Sequence, residues 1–457
     1  MVQYHFIGIG GIGMGKLASL LLSQGKTVSG SDISENAMVK SLREQGAQVT
    51  IGHHAKNLQD AECVVYSSAI RTDNPEFVSA QEKGCRIIKR AKLLAELMKD
   101  SQMITVSGAH GKTTTTSMIA HLLTHAGMDP TVALGGVFNQ GSYREQLGDG
   151  KYFVAELDES DGSFLFFSPQ ISVITNIDLE HLDYYHDWEA ILQAYRQFVF
   201  QTASDGMILG CGDNGPLREL LESSGRIVMF YGASDNNHLS AGNMVFRQGR
   251  MAFQCREAGR VLGEISLAVP GRHNVLNALA CVGVGLRLGL AFPVMQDALA
   301  SYGGVRRRFE RKGQWGDIIL FDDYAHHPTE IRATLETARA FSPKRIIAVF
   351  QPHRYTRTKF LWHEFSNAFD HADQVIITDI YAASEQVIAG VNAVRLSEDM
   401  SAAGLRHVEY ISKDKITEEV VGRVQPGDLI VTLGAGDVTK ICGQIAQGLE
   451  ERFAVKE

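Results

Sequence analysis

A glycine-rich loop that runs into a lysine has the residue types needed to bind phosphate groups. The loop consists of Gly108, Ala109, His110, Gly111, Lys112, Thr113 and Thr114. In such loops the backbone N–H groups face phosphate oxygens, the lysine adds a positive charge, and a threonine hydroxyl can reach Mg²⁺. The usual motif has a glycine five positions before Gly111, where this chain has Val106. We therefore predict a shorter variant of the phosphate loop.

A purely structural role for this loop is disfavoured by the residues on its C-terminal side. Four consecutive threonines, Thr113 to Thr116, stand where a helix should begin. Side chains branched at Cβ lose rotamer freedom in a helix, so packing alone gives no reason for the run. A hydroxyl beside a bound phosphate does give one.

Acidic residues cluster at the ends of two later strands. One cluster is Glu156, Asp158, Glu159 and Asp161; the other lies between Asn176 and Asp183 and contains His181. Parallel sheets bind ligands at the carboxyl ends of their strands, so these groups are expected to hold Mg²⁺ that bridges ATP and a second substrate. Histidine is an unusual ligand for Mg²⁺. Solvated loop acids are the alternative interpretation.

A second glycine-rich turn lies near the start of the chain. Gly8, Gly10 and Gly13 follow one predicted strand and open a helix, and Asp32 ends the next strand. Glycines permit the tight turn and close approach to a pyrophosphate, which the helix N-terminus attracts. The pattern indicates a nucleotide diphosphate without identifying NAD. The alternative is that the glycines serve only close packing of the strand and the helix.

Arginines and histidines cluster at strand ends in the last third of the chain. The segments are Arg306–Glu310, Asp322–Pro328 and Gln351–Arg357. Guanidinium groups bind carboxylate and phosphate in a bidentate manner, so the segments indicate a clamp for an anionic substrate. A single histidine there would more often be a surface or capping group, and only the combination suggests a site.

Composition excludes several classes of protein. Lys and Arg total 44 against 52 Asp and Glu, a formal net charge of −8, and nucleic-acid binders normally show a basic face. No apolar run reaches the ~20 residues of a membrane helix, and the start lacks the basic segment of a signal peptide. The six scattered cysteines fit a reduced compartment. We expect a cytoplasmic protein that binds neither nucleic acid nor membranes.

Short buried strands alternate with helices along the whole chain, which predicts parallel sheets with right-handed crossovers. We predict an α/β fold of three domains in series. Residues 1–100 would form a Rossmann-like domain, residues 101–304 a central P-loop-type ATPase domain with a mainly parallel sheet, and residues 305–457 a second Rossmann-like domain. Among the predicted elements are strands at Tyr152–Glu156, Ile171–Ile177 and Arg345–Phe350, and a helix at Lys359–Phe369.

These motifs together resemble the Mur ligase family over the whole chain. The residues that carry the resemblance are the loop Gly108–Thr114, Glu156 with Asp158–Asp161, His181, Gly271–Asn277, Arg308, Phe309 and Asp323. Within the family, Gly8–Met14, Asp322–Pro328 and Gln351–Thr358 are most similar to the member that joins L-alanine to UDP-N-acetylmuramate.

The resemblance implies a role for each matching position. The UDP part would be bound by Gly10, Gly11, Asp32, His53, Ser67, Ser68 and Arg71. ATP would be bound by Gly108, Ala109, His110, Gly111, Lys112, Thr113, Thr114, Asn274, Asn277, Arg308 and Asp323. Mg²⁺ would be held by Thr113, Glu156 and His181. For His181 this implication of the resemblance outweighs the observation that histidine is an unusual ligand for Mg²⁺. The incoming amino acid would meet His353, Arg354 and Arg357, with His327 also binding substrate.

The activity implied is ATP-dependent ligation, with ATP and Mg²⁺ as cofactors and UDP-N-acetylmuramate and L-alanine as substrates. Lys112, Glu156, His181 and His353 would be catalytic; the amine proton would go to His353 or another histidine of the third domain. We expect a monomer or a weak homodimer. The alternatives are a recycling ligase that attaches a whole peptide to the same sugar nucleotide, an NAD-dependent dehydrogenase using Gly8–Gly13, and a nucleotide sensor without catalysis.

Overall fold

The computed structural model describes residues 3–67, 69–134, 148–383 and 385–453. The chain clusters into two compact units, the first ending at Phe230 and the second beginning at Tyr231. Among the described residues, no helix is both long enough and apolar enough to cross a lipid bilayer.

The first unit alternates strands and helices as the sequence predicts. Its strands are β1 (Gln3–Ile7), β2 (Thr27–Asp32), β3 (Gln48–Ile51), β4 (Cys63–Tyr66), β5 (Arg86–Lys89), β6 (Gln102–Ser107), β7 (Thr131–Ala133), β8 (Tyr152–Glu156), β9 (Ile171–Ile174), β10 (Met207–Cys211) and β11 (Val228–Gly232). Its helices are α1 (Ile12–Ser23), α2 (Ala37–Glu44), α3 (Pro75–Glu82), α4 (Arg90–Met98), α5 (Lys112–His125), α6 (Leu182–Tyr185), α7 (Trp188–Gln201) and α8 (Gly215–Glu222), with 3-10 turns at Ala55–Leu58 and Ser163–Phe166.

The N-terminal sheet has the strand order β3-β2-β1-β4-β5 with parallel pairing throughout. That order is the one of a Rossmann domain, which confirms this part of the predicted fold. Asn74 caps α3 by accepting from the N–H of Glu76, and Pro75 follows at the first helical position, where its missing N–H costs nothing. These two residues therefore define where α3 begins.

The second sheet of this unit positions the phosphate loop. The part of this nine-stranded sheet that lies in the unit has the order β11-β10-β9-β6-β8-β7, and β6 pairs in parallel with both β8 and β9. The residues of β6, β8 and β9 are almost all buried, as expected for a parallel sheet covered on both faces. The loops after Ser107, Glu156 and Ile174 therefore emerge side by side at one edge of the sheet.

The second unit begins with antiparallel strands and ends with a mostly parallel sheet. Its strands are β12 (Leu239–Arg247), β13 (Arg250–Glu257), β14 (Arg260–Leu267), β15 (Glu310–Trp315), β16 (Ile318–Asp323), β17 (Arg345–Phe350), β18 (Gln374–Ile377), β19 (Val408–Tyr410) and β20 (Asp428–Leu433). Its helices are α9 (Arg272–Arg287), α10 (Phe292–Ser301), α11 (Pro328–Ala340), α12 (Tyr355–Phe360), α13 (Trp362–Phe365), α14 (Ala393–Ala402), α15 (Ile416–Arg423) and α16 (Val438–Phe453).

The C-terminal sheet has the order β15-β16-β20-β17-β18-β19, in which only the β15–β16 pair is antiparallel. Strand β17 is apolar on both faces: Ile346 and Phe350 pack into one core cluster and Ile347 and Val349 into the other. Successive side chains of a strand point to opposite faces, so a continuous apolar run marks a strand buried on both sides.

One predicted helix is wrong. The sequence suggested a single helix at Lys359–Phe369, but the chain forms α12 and α13 with a break at Leu361, whose φ and ψ are −102° and 22°. Leu361 and Phe365 are both buried in the core cluster of this sheet. Burial of these two side chains is therefore favoured over one continuous, straight helix.

Candidate nucleotide and substrate sites

The phosphate loop connects β6 directly to α5 through two glycines in left-handed conformation. Gly108 has φ 127° and Gly111 has φ 83°, values that other residues rarely adopt. A Cβ atom on Gly108 would lie 2.2 Å from the Thr175 hydroxyl oxygen. The backbone of the loop therefore packs closely against its neighbours because Gly108 has no side chain. Glycine-rich loops that surround phosphate groups have the same kind of geometry.

The loop after β9 fixes the shape of the phosphate loop. The His110 N–H donates to Asn176 Oδ1 (2.9 Å), and the His110 carbonyl accepts from the Thr175 hydroxyl (2.6 Å) and from Asn176 Nδ2 (3.0 Å). The His110 ring nitrogen Nε2 lies 3.0 Å from Asp178 Oδ2. His110 is therefore held at its backbone and at its side chain.

Lys112 is folded back over the loop. Its Nζ donates to the carbonyls of Gly108 (2.6 Å) and Ala109 (3.1 Å) and forms an ion pair with Glu159 Oε1 (2.8 Å). Burial lowers the pKa of Lys112, but the surrounding carboxylates raise it and their effect is larger. Lys112 is therefore charged at neutral pH and placed to meet an anion at the loop.

Thr113 and Glu156, two predicted metal ligands, are brought together. The Thr113 hydroxyl donates to Glu156 Oε1 at 2.9 Å. One oxygen comes from the start of α5 and the other from the end of β8, so the pair spans the two elements that a bridging cation would join. Hydroxyl and carboxylate oxygens are ligands suited to Mg²⁺.

A second group of possible metal ligands contains His181. Ligand atoms of Glu159, Glu180 and His181 lie within 4.8 Å of one another. His181 Nε2 is 3.3 Å from Glu159 Oε1 and 3.7 Å from Glu180 Oε2. Burial lowers the pKa of His181, whereas the Glu159 and Glu180 carboxylates raise it, and the net direction is upward. The negative charge responsible would equally attract a divalent cation.

Glu159 shows that the site fits a cation. It is only 3% exposed, and among the described residues its Oε2 has no hydrogen-bond partner. Burying a carboxylate oxygen without a hydrogen bond costs free energy, and a bound cation would offset that cost. The predicted set Thr113, Glu156 and His181 did not include Glu159 or Glu180. Their signal in the sequence was their place in the same two acidic strand ends.

We expect Gly108→Ala to abolish most ATP-dependent turnover. The added methyl group would overlap the Thr175 hydroxyl and approach the Asn176 backbone at 2.9 Å, in a φ that disfavours any side chain. Displacing the loop by about 1 Å should cost about 100-fold in turnover. Gly215→Ala is the matched control, because nothing lies within 4 Å of its Cβ position. Equal activity of the two variants, measured as phosphate release, would contradict this assignment of the loop.

The first glycine turn is organised by Asp32. The Asp32 carboxylate accepts from the Gly10 N–H (2.8 Å) and the Ser34 N–H (3.1 Å), and Asn36 Nδ2 donates to the Gly10 carbonyl (3.1 Å). Gly11 immediately precedes α1. Asp32 thus shapes the turn that a nucleotide would meet, in addition to any contact of its own.

The other residues predicted to bind the UDP part differ in exposure. His53 is half-buried and its Nδ1 lies 2.8 Å from the Ser31 hydroxyl; Ser67 follows the end of β4. Arg71 is highly exposed and pairs with Asp73 at 3.1 Å. Ser68 lies outside the described residues.

The second unit carries four residues predicted to bind the adenine, ribose and γ-phosphate ends of ATP, namely Asn274, Asn277, Arg308 and Asp323. Asn274 and Asn277 lie on α9, where Asn277 Nδ2 donates to Asn274 Oδ1 (3.1 Å). Asp323 accepts from the N–H groups of Phe309 (2.6 Å) and Ala325 (2.7 Å), and burial raises its pKa to about 6. Asp323 therefore holds the segment that carries Arg308.

The predicted amino-acid site is built around His353. Its ring stacks on Tyr381 with centroids 5.6 Å apart and planes at 8°. The Arg354 N–H donates to the Tyr381 carbonyl (2.8 Å), which holds Arg354 at a φ of 68°. His327 begins α11, where its Nδ1 accepts from the Thr329 N–H at 3.3 Å. Two of the predicted residues are thus held by Tyr381, which was not predicted.

The hydrogen bond from Arg357 determines the protonation of His353. Arg357 Nη1 lies 3.1 Å from His353 Nδ1, and a guanidinium only donates, so Nδ1 accepts and the proton of the neutral ring lies on Nε2. Burial, reinforced by His326 and nearby arginines, lowers the pKa of His353 to about 3. This arrangement favours a donor role for His353 over the proton-accepting role considered from the sequence.

We expect Tyr381→Ala to raise the KM for the amino acid about fivefold, because a stacked ring pair contributes about 1 kcal/mol and here supports His353. Tyr381→Phe keeps the ring and should stay within about twofold of wild type. Steady-state kinetics with varied amino acid and saturating ATP measure both. A loss of equal size in the Phe variant would show that the hydroxyl, not the stack, matters.

Three family models match the chain in series. "Mur ligase family, catalytic domain" matches residues 3–102, "Mur ligase middle domain" residues 106–285, and "Mur ligase, glutamate ligase domain" residues 307–436. The α/β fold with three domains in series is thereby confirmed. The exact boundaries at residues 100 and 304 stay predictions.

Several relatives that are similar over nearly their full length share a name. A protein of Trichlorobacter lovleyi named UDP-N-acetylmuramate–L-alanine ligase is 46% identical over 439 residues, covering 95% of this chain and 96% of its own. Another of that name from Desulfosudis oleivorans is 46% identical and covers 98% and 99%. The crystal structure of UDP-N-acetylmuramate-alanine ligase from Thermotoga maritima matches with a TM-score of 0.80 at 30% identity, covering 99% of this chain and 100% of its own. This chain is therefore a ligase and belongs to the Mur ligase family.

Proposed function

We propose that this chain joins L-alanine to the carboxylate of UDP-N-acetylmuramate at the expense of ATP, releasing ADP and phosphate. The observation that carries the proposal is the phosphate loop, in which a charged, half-buried Lys112 pairs with Glu159, a carboxylate that also lies 3.3 Å from His181. The relatives named UDP-N-acetylmuramate–L-alanine ligase, 46% identical over nearly the whole chain, give the substrates. Such sugar nucleotides and ATP are cytoplasmic metabolites, and we place the reaction in the cytoplasm.

We assign each substrate to one set of residues. The sugar nucleotide is bound by the N-terminal domain, at the turn with Gly10, Gly11 and Asp32 and at His53. The phosphates of ATP lie in the loop Gly108–Thr114, and Asn274, Asn277, Arg308 and Asp323 bind its other parts. Arg354 and Arg357 bind the alanine carboxylate, which guanidinium groups pair with well.

Thr113, Glu156 and His181 would hold Mg²⁺, together with Glu159. The ion would neutralise charge on the phosphoryl oxygens. Lys112 contributes a fixed positive charge at the same place, and because it is already oriented by the Gly108 and Ala109 carbonyls, little reorganisation is needed during reaction.

The reaction has two chemical steps. An oxygen of the muramate carboxylate attacks the γ-phosphorus of ATP, the bond to ADP breaks, and an acyl phosphate results. The neutral amine of alanine then attacks the acyl carbon, the amide bond forms, and the bond from the acyl carbon to the phosphate oxygen breaks. The departing phosphate takes up the amine proton and leaves as hydrogen phosphate. His353, with its proton on Nε2, donates a hydrogen bond to the amino acid or to the developing oxyanion.

The nearest alternative is ligation of a whole peptide to the same sugar nucleotide. Phosphate release from ATP should be measured with UDP-N-acetylmuramate and, in parallel, L-alanine, the peptide L-Ala-γ-D-Glu-meso-diaminopimelate, or no amino acid. We expect release that requires both the sugar nucleotide and L-alanine. Release with the peptide alone would replace the proposal by the recycling reaction, and no release in any mixture would overturn both.

A further inference from the structure

Glu76, at the start of α3, is a buried carboxylate with an unusual number of partners. It is 0% exposed. Its Oε2 accepts from His5 Nε2 (3.1 Å) and the Ser31 hydroxyl (2.6 Å), and its Oε1 from Asn57 Nδ2 (2.6 Å) and the His54 N–H (3.1 Å). Burial raises the pKa of Glu76, but these hydrogen bonds lower it and the net direction is downward. Glu76 is therefore an ionised acceptor at neutral pH.

The hydrogen bond that Ser31 donates to Glu76 determines whether the Ser31 hydroxyl donates or accepts at its contact with His53. A hydroxyl has one proton, and here it is donated to the carboxylate, which can only accept. The Ser31 oxygen also lies 2.8 Å from His53 Nδ1. At that contact Ser31 must therefore accept, so Nδ1 of His53 carries a proton. In the neutral ring the other nitrogen, Nε2, is then an acceptor.

The same carboxylate also shapes the chain around His53. The His54 N–H and the Asn57 amide, one residue and four residues further on, both donate to Glu76 Oε1. His53 itself keeps a 16% exposed side chain, so its ring is reachable from outside while its Nδ1 faces the buried network.

We propose that Glu76 and Ser31 are positioning residues that hold His53 as the tautomer protonated on Nδ1, so that Nε2 accepts a hydrogen bond from an N–H or O–H group of the bound sugar nucleotide. The proposal rests on the proposed function, which assigns the sugar nucleotide to this domain. The uracil imide and the ribose hydroxyls are the donors of that chemistry in a uridine nucleotide.

Ser29, which belongs to the same hydrogen-bond network, provides a matched control for Ser31. Ser29 lies on the same strand two residues before Ser31, is also buried, and its hydroxyl lies 3.0 Å from His5 Nδ1. Ser29→Ala therefore removes a buried hydroxyl from the His5 end of the network. Ser31→Ala removes the same group at the His53 end.

The tautomer of His53 can be determined by NMR without measuring enzyme activity. Long-range ¹H–¹⁵N correlation of the full-length protein labelled in histidine, with the His53 signals identified by their loss in His53→Gln, should show the proton on Nδ1. Ser31→Ala should shift these signals toward a mixture of tautomers, and Ser29→Ala should leave them in place. A wild-type His53 protonated only on Nε2 would overturn the proposal, whether or not either variant folds.

Kinetics distinguish positioning from a structural role. Ser31→Ala should raise the KM for UDP-N-acetylmuramate about tenfold, because a buried bond that fixes the ring is lost, while kcat and the KM values for ATP and L-alanine stay within about twofold. Ser29→Ala should leave all four within about twofold. Equal effects of the two variants, or parallel changes in all constants, would reduce the network to a structural one.

Analogues identify the donor. A sugar nucleotide methylated on uracil N3, or one that lacks the ribose 2′-hydroxyl, should bind wild type more weakly; the analogue whose penalty disappears in Ser31→Ala lacks the group that meets His53. If neither penalty disappears, the substrate contact is overturned. Absence of UDP-N-acetylmuramate binding to wild type would overturn the proposed function, whereas normal binding with the proton on Nε2 would overturn this proposal alone.

Discussion

Replacing Lys112 by alanine is expected to lower kcat by about three orders of magnitude, because a preorganised charge at a phosphoryl group supplies stabilisation of that size. Lys112 is held by two loop carbonyls and by Glu159, so its charge needs no rearrangement to meet a phosphate. The fold should survive, since Glu159 keeps His181 as a partner at 3.3 Å.

Lys112→Met separates charge from packing. Methionine keeps most of the aliphatic chain, and we expect the same loss of kcat from it. Circular dichroism and thermal unfolding would establish that both variants are folded. Near-wild-type turnover in either folded variant would remove Lys112 from the catalytic apparatus.

Replacing Glu156 by glutamine is expected to lower turnover about 100-fold at fixed Mg²⁺ and to weaken Mg²⁺ binding by about 10- to 100-fold. The amide oxygen can still accept the bond from the Thr113 hydroxyl, so the local structure is kept while the negative charge is lost. Titrating Mg²⁺ in the phosphate-release assay gives both quantities.

Asp158→Asn is the matched control for this variant. Asp158 belongs to the same acidic segment but is exposed, and its Oδ1 accepts from the Ser160 N–H, which asparagine can also satisfy. Its Mg²⁺ dependence should equal that of wild type. If the two variants shift the Mg²⁺ midpoint equally, the overall negative charge of the acidic segment accounts for the effect, and Glu156 is not a specific Mg²⁺ ligand.

The parts of the fold that could be predicted are those with a strong local pattern. Strands β8 and β17 begin and end at the predicted residues, because continuous apolar runs such as that of β17 mark strands buried on both faces. The antiparallel strands β12 to β14 were not predicted. The residues of β12 from Gly242 onwards are only half-buried or exposed, and a bulge between Gly242 and Val245 interrupts this strand, so the apolar pattern in the sequence is weak.

The site shows the same division. The phosphate loop and the acidic strand ends were visible because unusual residue types stand close together in the sequence. The roles of Glu76 and Tyr381 were not visible, because each depends on a contact between distant parts of the chain: Glu76 with Ser31, and Tyr381 with His353. No spacing rule in a single sequence encodes such pairs.

In the proposed reaction the protein activates the muramate carboxylate by phosphorylation and transfers the acyl group to L-alanine. The most direct measurement uses UDP-N-acetylmuramate labelled with ¹⁸O in that carboxylate, together with ATP, Mg²⁺ and L-alanine, and analyses both products by mass spectrometry. We predict UDP-N-acetylmuramoyl-L-alanine and a phosphate that carries one ¹⁸O atom from the substrate. Product formation with unlabelled phosphate, or labelled phosphate without the alanine adduct, would contradict the account.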